Sequence, residues 1–409
     1  MNASHKTGVM APQLLASVRV LDLTNVLAGP FCGYQLALQG AELIKVEVPE
    51  SGDLARQLGA APALNGQGMG ASFLAQNAGK KSITVDLKEP AGREIFLRLV
   101  DTADVVLENF RPGVMDRLGV GYDVLSARRP SLVYCAISGF GQDGPLRDNP
   151  AYDQIIQGLS GVMSVTGYAD LGPLRVGYPI CDTIGGITAA FAVVCALHHR
   201  QLTGCGQYID VSMLDATLAT LGWTVSNWLI ADVNPQPMGN ENFTASPSGT
   251  FATGDGLLNI AANKQDQFEA LCRLLGRADL IGDRRFADRE SRKRNRDLLR
   301  SEIESALANG SAEHWEGMMN RAGVPAGRVM TVPQVLESPQ VRQRGLTQTH
   351  RVPGIDRPVT VVKAGFKLSA ARVGVDLPPP RLGEHTDRVL GELGYTSEQI
   401  TELRRSRAI

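Results

Sequence analysis

Short β-type segments alternate with helical patterns over the first 135 residues, and this alternation limits the folds open to the chain more than any other feature. Helical patterns separate the segments, and one of them opens with Pro90, a residue suited to the first turn of a helix. The alternation predicts an α/β fold with a parallel sheet covered by helices. The strand candidates, rich in β-branched and aliphatic residues, are VRVLDL (18–23), AELIKVEV (41–48), SITVDL (82–87), DVVLENF (104–110) and SLVYCAIS (131–138).

Turn-rich segments at three of these strand ends mark the predicted ligand-binding edge. In a Rossmann-like sheet, ligands bind outside the carboxyl ends of the strands. Those ends correspond here to TNVLAGP, ENFRPG and SGFGQDGP. In the first, Gly29 and Pro30 allow a tight turn, and the following helix offers free N–H groups to an anion. The segment is not a GxGxxG nucleotide fingerprint, and the chain has no P-loop.

The length of 409 residues exceeds the size at which one hydrophobic core keeps growing, so two domains are expected. Residues 1–17 are interpreted as a flexible tail, and residues 18–224 as the first part of a large domain. From residue 225 the chain becomes irregular, then hairpin-like and helical, which predicts a small α+β domain over 225–324. β-type segments return in 325–409.

The composition excludes several classes of partner. The chain has 41 Lys and Arg residues and 42 Asp and Glu residues, so its net charge is close to zero. Nucleic acid is therefore not expected as a partner. The six cysteines form no CxxC pair and are interpreted as buried thiols in a reducing compartment. The histidines show no metal-ligand spacing, so no metal site is expected. No secretory pattern is visible, and the apolar segment from Ile184 to Leu197 is too short to span a bilayer. These features predict a soluble cytoplasmic protein without a membrane partner.

Five basic residues are candidates for binding a phosphorylated ligand. Each is interpreted as lying beside a strand end on the predicted ligand edge. A carrier such as coenzyme A needs spaced positive charges, because its ADP end carries several phosphate charges. Any one of the five, taken alone, is also typical of a solvated surface. They are Lys80, Lys81, Lys88, Arg111 and Arg117.

Two carboxylates flank an interior helix. The segment GYPICDTIGG places Asp182 directly before a long helix rich in Gly, Ala and aliphatic residues. Asp is a preferred N-cap residue, so a capping role follows from the position alone. The segment PAYDQ supplies a second carboxylate, Asp153, and the hydroxyl of Tyr152. If the carboxylates converge, repulsion and burial raise one pKa, whereas a helix N-terminus lowers the pKa of Asp182. Capping and reactivity are compatible and both remain open at this point.

Five ordered motifs carry a family resemblance: RVLDLTNVLAGPFCGYQLALQGAELIKVE, GKKSITVDLKEPAGR, DVVLENFRPGVMDRLGVGYD, ISGFGQDGPLRDNPAYDQIIQGLSG and RLGEHTDRVLGELG. Together they resemble the CaiB/BaiF group, the family III CoA-transferases. The likeness is close over residues 17–225 and moderate over 325–395. It implies an interlocked homodimer, each chain threaded through the ring of the other. It also implies a large Rossmann-like domain built from both chain ends, with the small domain inserted between them.

The resemblance also implies roles for individual residues. The catalytic aspartate falls on Asp182, with capping as a second role. From adjacency and not from the resemblance, Asp153 and Tyr152 are expected to orient Asp182 or the substrate. Lys81 joins the CoA-binding set as a basic residue of the predicted ligand edge. No permanently bound cofactor is implied, since acyl-CoA is the substrate. The CoA-contacting positions of the family fall on Asn25, Val26, Ala28, Lys88, Asn109, Phe110, Arg117 and Tyr152.

The expected chemistry begins with a carboxylate in a dry pocket beside a bound thioester. Asp182 attacks the acyl-CoA carbonyl, which gives an acyl-aspartyl anhydride and the CoA thiolate. The thiolate attacks the aspartyl carbonyl, which gives an aspartyl-CoA thioester and frees the donor acid. An incoming carboxylic acid reverses these two steps and leaves as its CoA ester. Backbone N–H groups near Gly29 or in the loop 246–250 are expected to stabilise the oxyanions.

Two alternative functions come from other classes. The α-methylacyl-CoA racemases share the fold, but they move a proton with a histidine in a G-H-D segment. The matching place here is Ala151-Tyr152-Asp153, and a tyrosine with a pKa near 10 is a poor base near neutrality. A non-catalytic CoA-binding protein is the other alternative. Asp182 argues against it, because binding alone needs no carboxylate facing a thioester.

The substrates are narrowed only by loop composition. Formyl-CoA:oxalate transferases place a glutamine where Leu27 stands and a glycine-rich loop where this chain has SPSGT (246–250). The pattern GPxxxxxAYD and this Ser/Gly loop are more similar to transferases that move CoA from succinyl-CoA to a dicarboxylate. Arg175 is a candidate for holding the second carboxylate. Carnitine-type transferases stay open, although no aromatic cage for a quaternary ammonium is evident.

Overall fold

The computed structural model describes residues 12–409, which form eleven strands and nineteen α-helices. The strands are β1 (Arg19–Asp22), β2 (Glu42–Glu47), β3 (Lys80–Thr84), β4 (Val105–Glu108), β5 (Val133–Ser138), β6 (Gln207–Ser212), β7 (Ser248–Ala252), β8 (Leu257–Ala261), β9 (Ala326–Arg328), β10 (Thr347–His350) and β11 (Val359–Val362). The helices are α1 (Ala28–Leu38), α2 (Pro62–Gly66), α3 (Ala71–Asn77), α4 (Pro90–Val100), α5 (Val114–Arg117), α6 (Tyr122–Arg128), α7 (Asp153–Leu159), α8 (Ile180–Thr203), α9 (Met213–Thr220), α10 (Gly222–Ala231), α11 (Gln265–Leu274), α12 (Asp279–Gly282), α13 (Arg289–Arg294), α14 (Arg296–Leu307), α15 (Ala312–Arg321), α16 (Val332–Glu337), α17 (Pro339–Arg344), α18 (Thr386–Glu392) and α19 (Ser397–Arg405).

The first six strands form one parallel sheet in the order β3-β2-β1-β4-β5-β6. This is a Rossmann strand order, in which the direction of winding reverses between β1 and β4. The five strands predicted from the sequence are β1 to β5, so the predicted parallel α/β fold is confirmed. Small antiparallel sheets, β7-β8-β9 and β10-β11, accompany it.

The central strands β1, β4 and β5 are mostly apolar on both faces, as expected where helices cover both sides of a parallel sheet. Alternate side chains enter different cores. Val20 and Val105 belong to the core that contains α1 and α8. Leu21 and Val106 belong to the opposite core, which contains α4, α18 and the C-terminal residue Ile409. The two ends of the described chain therefore build the same sheet-and-helix layer.

The chain divides into two compact units. The first contains the residues up to Val162, Arg175–Val233 and Arg344–Ile409. The second contains Met163–Leu174 and Asn234–Gln343. The predicted limits of 225 and 324 for the small domain differ from these, because α10 continues the first unit and α16 lies in the second.

The short segment Met163–Leu174 was not expected in the second unit. The sequence predicts an amphipathic helix over 153–166, but α7 ends at Leu159 and only a 3-10 turn follows. Tyr168 instead forms an isolated β-bridge with Met238, and its ring packs against Gly239. These partners lie about 70 residues apart in sequence, so no local pattern could reveal the pairing.

The second unit has its own sheet and core. The hairpin predicted in FATGDGLLNIAA is confirmed as the antiparallel pair β7 and β8, and β9 extends it. Helices α11, α14 and α15 contribute Phe268, Leu299 and Trp315 to a separate apolar core. A cavity of about 430 Å³ in this unit is lined in part by Ser248 and Gly249, from the SPSGT segment.

Helix α8 is longer than the apolar segment from which the sequence excluded a membrane span. The apolar segment was predicted to be too short to cross a bilayer, but α8 has 24 residues and is long and apolar enough by length and composition. Its buried side chains, among them Cys181, Ala189 and Val193, belong to the core against α1. It is a partly buried core helix of the sheet and not a membrane span.

Two smaller predictions concern the tail and the cysteines. The predicted tail, residues 1–17, lies mostly outside the described residues. Of its described part, Leu15 donates a hydrogen bond to Gln39 and Gln13 donates one to Gly374. All six cysteines are free thiols, but Cys195 and Cys205 are exposed, so the prediction that all are buried is wrong for these two.

Candidate active site

Two loops meet where the sheet changes its winding direction. The loop after β1 and the loop after β4 leave neighbouring strands at their carboxyl ends, which is the usual ligand-binding crevice of such sheets. The side chain of Asn109 joins them. Its Oδ1 accepts from Asn25 N at 2.8 Å, and its Nδ2 donates to Asn25 O at 2.9 Å. These two predicted CoA-contacting positions are therefore adjacent, and the amide of Asn109 is engaged in holding the loops together.

The first turn of α8 lies at the same edge. Helix α8 lies in the connection from β5 to β6, and in a parallel sheet such a helix starts near the carboxyl ends of the strands. A Cβ placed on Gly186 would be 2.5 Å from the carbonyl oxygen of Ala28, so the backbones of α8 and α1 approach closely there. Asp182 lies one turn before Gly186 on the same helix face. The close approach therefore places Asp182 beside the start of α1.

Substituting Gly186→Ala should separate these helices, because the added methyl group meets the Ala28 carbonyl and the Phe31 side chain. A misplacement of about 1 Å can lower turnover about 100-fold, so we expect kcat to fall by roughly 10- to 100-fold. Thermal unfolding should show that the free energy of unfolding falls by about 1–3 kcal/mol, because the added methyl group overpacks the contact.

The matched control for this change is Gly391→Ala in α18, where an added Cβ meets nothing within 4 Å. Since alanine is the better helix former, that variant should keep its activity and unfold at the same or a higher temperature. Unchanged kcat in Gly186→Ala would contradict the proposed close contact between the helices.

Asp182 does not cap its own helix. The N-cap residue of α8 is Pro179, and Asp182 is the third helical residue. Asp153 supplies the capping carboxylate from the neighbouring helix α7, since its Oδ1 accepts from Cys181 N at 2.9 Å and from Asp182 N at 3.5 Å. The predicted second role of Asp182 as a cap is therefore wrong. A capping carboxylate can come from any element that packs against the helix end, and the sequence does not reveal which one does.

The Asp182 carboxyl is destabilised in its charged form. Burial is the main cause and the nearby Asp153 carboxylate the second, and together they raise the pKa of Asp182 to about 7. The helix N-terminus was expected to lower this pKa, but burial and repulsion outweigh it. A carboxylate that is poorly solvated is a better nucleophile than one in water, which suits Asp182 to covalent chemistry.

The surroundings of Asp153 include two further polar side chains. Its Oδ2 accepts from Gln157 Nε2 at 2.7 Å and lies 3.6 Å from the guanidinium of Arg175. The Arg175 side chain is 48% exposed, so it can also contact a ligand in solution. Tyr152, the N-cap residue of α7, has an exposed side chain at 67%. Its proximity to Asp153 is set by sequence, and its role stays a prediction.

The predicted basic residues divide between two edges of the sheet. Lys88 follows β3, and Arg111 and Arg117 follow β4, so these three are exposed at the carboxyl edge. Lys81 is the second residue of β3, and its ammonium pairs with Glu42, the first residue of β2. It therefore points to the opposite, amino edge, which contradicts its predicted place in the CoA site. Lys81 lies at the amino end of β3 whether the strand begins at residue 80, as observed, or at 82, as predicted, so it could not belong to the carboxyl edge.

Buried charges below the crevice were missed by the sequence analysis. Lys80 forms a fully buried ion pair with Asp22 at 2.8 Å, so it is also not free to bind a ligand. A second buried pair joins Lys45 to Asp53 at 2.9 Å. The available signal was the presence of lysine and aspartate within strand segments that are otherwise apolar on both faces, such as AELIKVEV.

The end of β4 carries another buried carboxyl. Glu108 accepts from Phe110 N at 2.8 Å and from the Tyr134 hydroxyl at 3.3 Å. Burial raises the pKa of Glu108 to about 7. Phe110, a predicted CoA-contacting position, is thus held by its backbone. Within residues 12–409, no group of three His, Cys, Asp or Glu side chains is placed to hold a metal ion.

Comparisons with known proteins identify the family of the chain. The family model described as CoA-transferase family III matches residues 15–386. The succinate–glutarate CoA-transferase of Agrobacterium fabrum is 37% identical over 388 residues, 93% of this chain and 95% of that protein. The acetyl-CoA:oxalate CoA-transferase of Acetobacter aceti is 41% identical over 328 residues, 80% of this chain and 83% of that protein. The crystal structure of a CaiB/BaiF family protein from Brucella suis has a TM-score of 0.83 and 35% identity, and the match covers 94% of this chain and 100% of that one. With a nucleophile candidate at the crevice of a matching fold, the chain belongs to CoA-transferase family III, the CaiB/BaiF group, and is a CoA-transferase.

Proposed function

We propose that this CoA-transferase moves CoA from succinyl-CoA, or a similar acyl-CoA, to a small dicarboxylate. The two relatives described above are named for dicarboxylates of different length, succinate and glutarate in one and oxalate in the other. Arg175 supports an acceptor with a second carboxylate, because its half-exposed guanidinium lies near the start of α8. A guanidinium binds a carboxylate through paired hydrogen bonds.

The observation that carries the proposal is the state of Asp182. It lies at the crevice, and its pKa is raised to about 7. The N-terminus of its helix is capped by Asp153 and not by Asp182 itself. A carboxyl kept only for stability would gain from a cation or from hydrogen-bond donors, whereas both causes acting on Asp182 disfavour its charge. Such destabilisation is typical of a group selected for reaction.

The proposed reaction conserves the thioester through four displacements. An Oδ atom of Asp182 attacks the carbonyl carbon of the acyl-CoA, the C–S bond breaks, and CoA leaves as its thiolate. The thiolate then attacks the Asp182 side-chain carbonyl of the mixed anhydride, which breaks the anhydride C–O bond and frees the donor carboxylate. The acceptor carboxylate attacks the resulting aspartyl-CoA thioester and releases the thiolate again. The thiolate finally attacks the acceptor carbonyl, which regenerates Asp182 and forms the new CoA ester.

Binding in this proposal divides between charge and backbone. Lys88 and Arg117, both exposed at the carboxyl edge, suit the phosphates of CoA. The start of α1 at Ala28 has no side-chain cap, so its backbone N–H groups are suited to the oxyanions of the tetrahedral intermediates. Asp153 would act through the backbone of α8, by fixing its first turn, and not by touching substrate.

We further propose that the protein is an interlocked homodimer that acts in the cytoplasm. Large apolar side chains are exposed on α10, with Trp223 at 80% and Ile230 at 84%, and on α8 at Phe191. Several large apolar side chains exposed on one helix, as on α10, are typical of an interface. Free thiols at Cys195 and Cys205 suit a reducing compartment. Sedimentation of the purified chain as a monomer would contradict the dimer.

Mass spectrometry of CoA esters tests the proposed reaction. The protein is incubated in deuterated water with succinyl-CoA, a panel of mono- and dicarboxylic acids and a branched acyl-CoA. We expect new CoA esters of dicarboxylates that carry no deuterium, because no α-proton is removed in the four displacements. A sample without protein is the control.

Each other outcome overturns a defined part of the proposal. Deuterium at an α-carbon without a new ester would favour the racemase. New esters of monocarboxylic acids alone would contradict the dicarboxylate acceptor. CoA binding without either reaction would favour the non-catalytic alternative.

A further inference from the structure

The loop after β1 holds a residue in a strained backbone conformation. We call residues 24–28 the first binding loop; it lies at the crevice and ends at the start of α1. Val26 in this loop has a φ of +67°, in the left-handed region. That conformation is a genuine outlier for a β-branched residue, which persists only where the surroundings enforce it. Such residues are concentrated at ligand sites.

The enforcing contacts come from a buried ion pair. Asp53 Oδ1 accepts a hydrogen bond from Val26 N at 2.9 Å. Asp53 Oδ2 pairs with the Lys45 ammonium at 2.9 Å, and both side chains are 0% exposed. Lys45 Nζ in turn donates to the carbonyl oxygen of Thr24 at 2.6 Å. The Asp53 carboxylate thus holds Val26 itself, and the Lys45 ammonium holds Thr24, two residues before it.

The same loop is held from its other side. Asn109 pairs with both backbone groups of Asn25, as described above. Three consecutive residues, Thr24, Asn25 and Val26, are therefore fixed by side chains from two other segments of the chain. Asp53 also accepts from Ala55 N at 2.9 Å, so its own position is fixed by the 3-10 turn that follows it.

Stability alone does not account for the buried charges. Taking two charges out of water costs about as much as their attraction returns, and a pair of apolar side chains of similar size is often at least as stable. A buried pair is better explained where it selects one conformation among several. The conformation that Lys45 and Asp53 select is that of the first binding loop.

We propose that Lys45 and Asp53 are positioning residues, which hold Val26 in the left-handed conformation and thereby present the first binding loop to CoA. The proposal deepens the proposed function and rests on it, since CoA binding by this loop is part of that function. Neither side chain touches the substrate. Their effect on CoA is transmitted by the hydrogen bonds to Thr24 and Val26.

Two double variants test the proposal, Lys45→Met with Asp53→Asn and Lys45→Met with Asp53→Leu. Neither leaves a buried charge without its partner, so both avoid the main cause of unfolding. They differ in the acceptor at residue 53, because the Asn variant keeps a side-chain oxygen for Val26 N and Ala55 N and the Leu variant does not. Calorimetry with free CoA should give a Kd roughly 10-fold higher for the Leu variant than for the Asn variant. This is the order expected for the loss of one buried hydrogen bond, the one from Val26 N.

Adding Val26→Gly to the Leu variant should restore most of the affinity, since glycine adopts positive φ without strain. This rescue distinguishes a positioning role from a purely structural one. A purely structural role would lower the unfolding temperature of both double variants and leave their CoA affinities equal. Equal affinities would overturn the proposal. If the wild-type protein itself bound no CoA, the proposed function would fail instead, so the two failures are distinguishable.

A single variant keeps the test independent of how the double variants fold. Val26→Pro should lose at least about 30-fold in CoA affinity, since proline fixes φ near −65° and has no N–H for Asp53. Wild-type affinity in the proline variant would overturn the proposal. Val26→Gly alone gives the reference affinity for the rescue.

Discussion

The substitution Asp182→Ala is expected to lower CoA exchange by at least about 10⁴-fold, because removal of a covalent nucleophile leaves only the contribution of binding and oxyanion stabilisation. The Kd for CoA should change by less than about threefold. In the proposed site the substrate is held by the loops after β1 and β4 and by Lys88 and Arg117, none of which contains Asp182. Initial rates of CoA transfer and calorimetry with CoA provide the two measurements.

A matched control is available in the same unit. Asp215 is the third residue of α9, as Asp182 is the third residue of α8, but it is exposed. Asp215→Ala should therefore keep the exchange activity. Comparable losses in both variants would show that the effect is not specific to Asp182.

The covalent intermediate gives a second readout of the same prediction. After incubation with acyl-CoA and an acid quench, the peptide that contains Asp182 should carry the mass of CoA as a thioester. The Asp182→Ala protein should carry none. A CoA adduct on another side chain would disprove the assignment of the nucleophile.

The pH dependence of the exchange is the second prediction with a large effect. The attacking group is the ionised carboxylate, and the pKa of Asp182 is raised to about 7. We therefore expect kcat/KM to fall about tenfold for each pH unit below 7 and to level off above it. At pH 5 the rate constant should be about 100-fold below its plateau, whereas an aspartate of ordinary pKa, 3.8, would give a flat profile over this range.

Asp153→Asn should move the midpoint of this profile to lower pH. The substitution removes the like charge, which is the second cause of the raised pKa, and keeps an acceptor for Cys181 N. The midpoint should remain above the usual range for aspartate, because burial is the larger cause. The Kd for CoA in Asp182→Asn, measured over the same pH range, controls for ionisation of the ligand. An unshifted midpoint in Asp153→Asn would contradict the repulsion between the carboxylates.

The same pKa has a consequence for stability. Because the folded protein raises the pKa of Asp182 above its unfolded value of 3.8, its contribution to stability is fully present below pH 4 and is lost as the pH rises through about 7. Asp182→Asn, which cannot ionise, should therefore unfold at a higher temperature than wild type at pH 8. The difference should disappear near pH 4.

The sequence determined the elements of the sheet and its ligand edge. In segments such as VRVLDL and SLVYCAIS, apolar residues occupy neighbouring as well as alternate positions, which is typical of a strand buried on both faces. Their alternation with helices gave the α/β fold, and the turn-rich loops gave the carboxyl edge as the place of binding. Strand limits were less well determined, since β3 begins at residue 80 and not at 82. Lys81 was assigned to the carboxyl edge although it lies at the amino end of β3.

The tertiary structure alone decided which distant groups meet. Asp153 and not Asp182 caps α8, and Lys45 pairs with Asp53 under a strained Val26. Tyr168 likewise pairs with Met238, about 70 residues away in sequence, and both belong to the second unit. The physical reason is that spacing along a strand or helix is fixed by the local backbone, so periodicity is visible in the sequence. The choice of a partner across the fold depends on how whole elements pack, and it decides the pKa of Asp182 as well as the shape of the first binding loop.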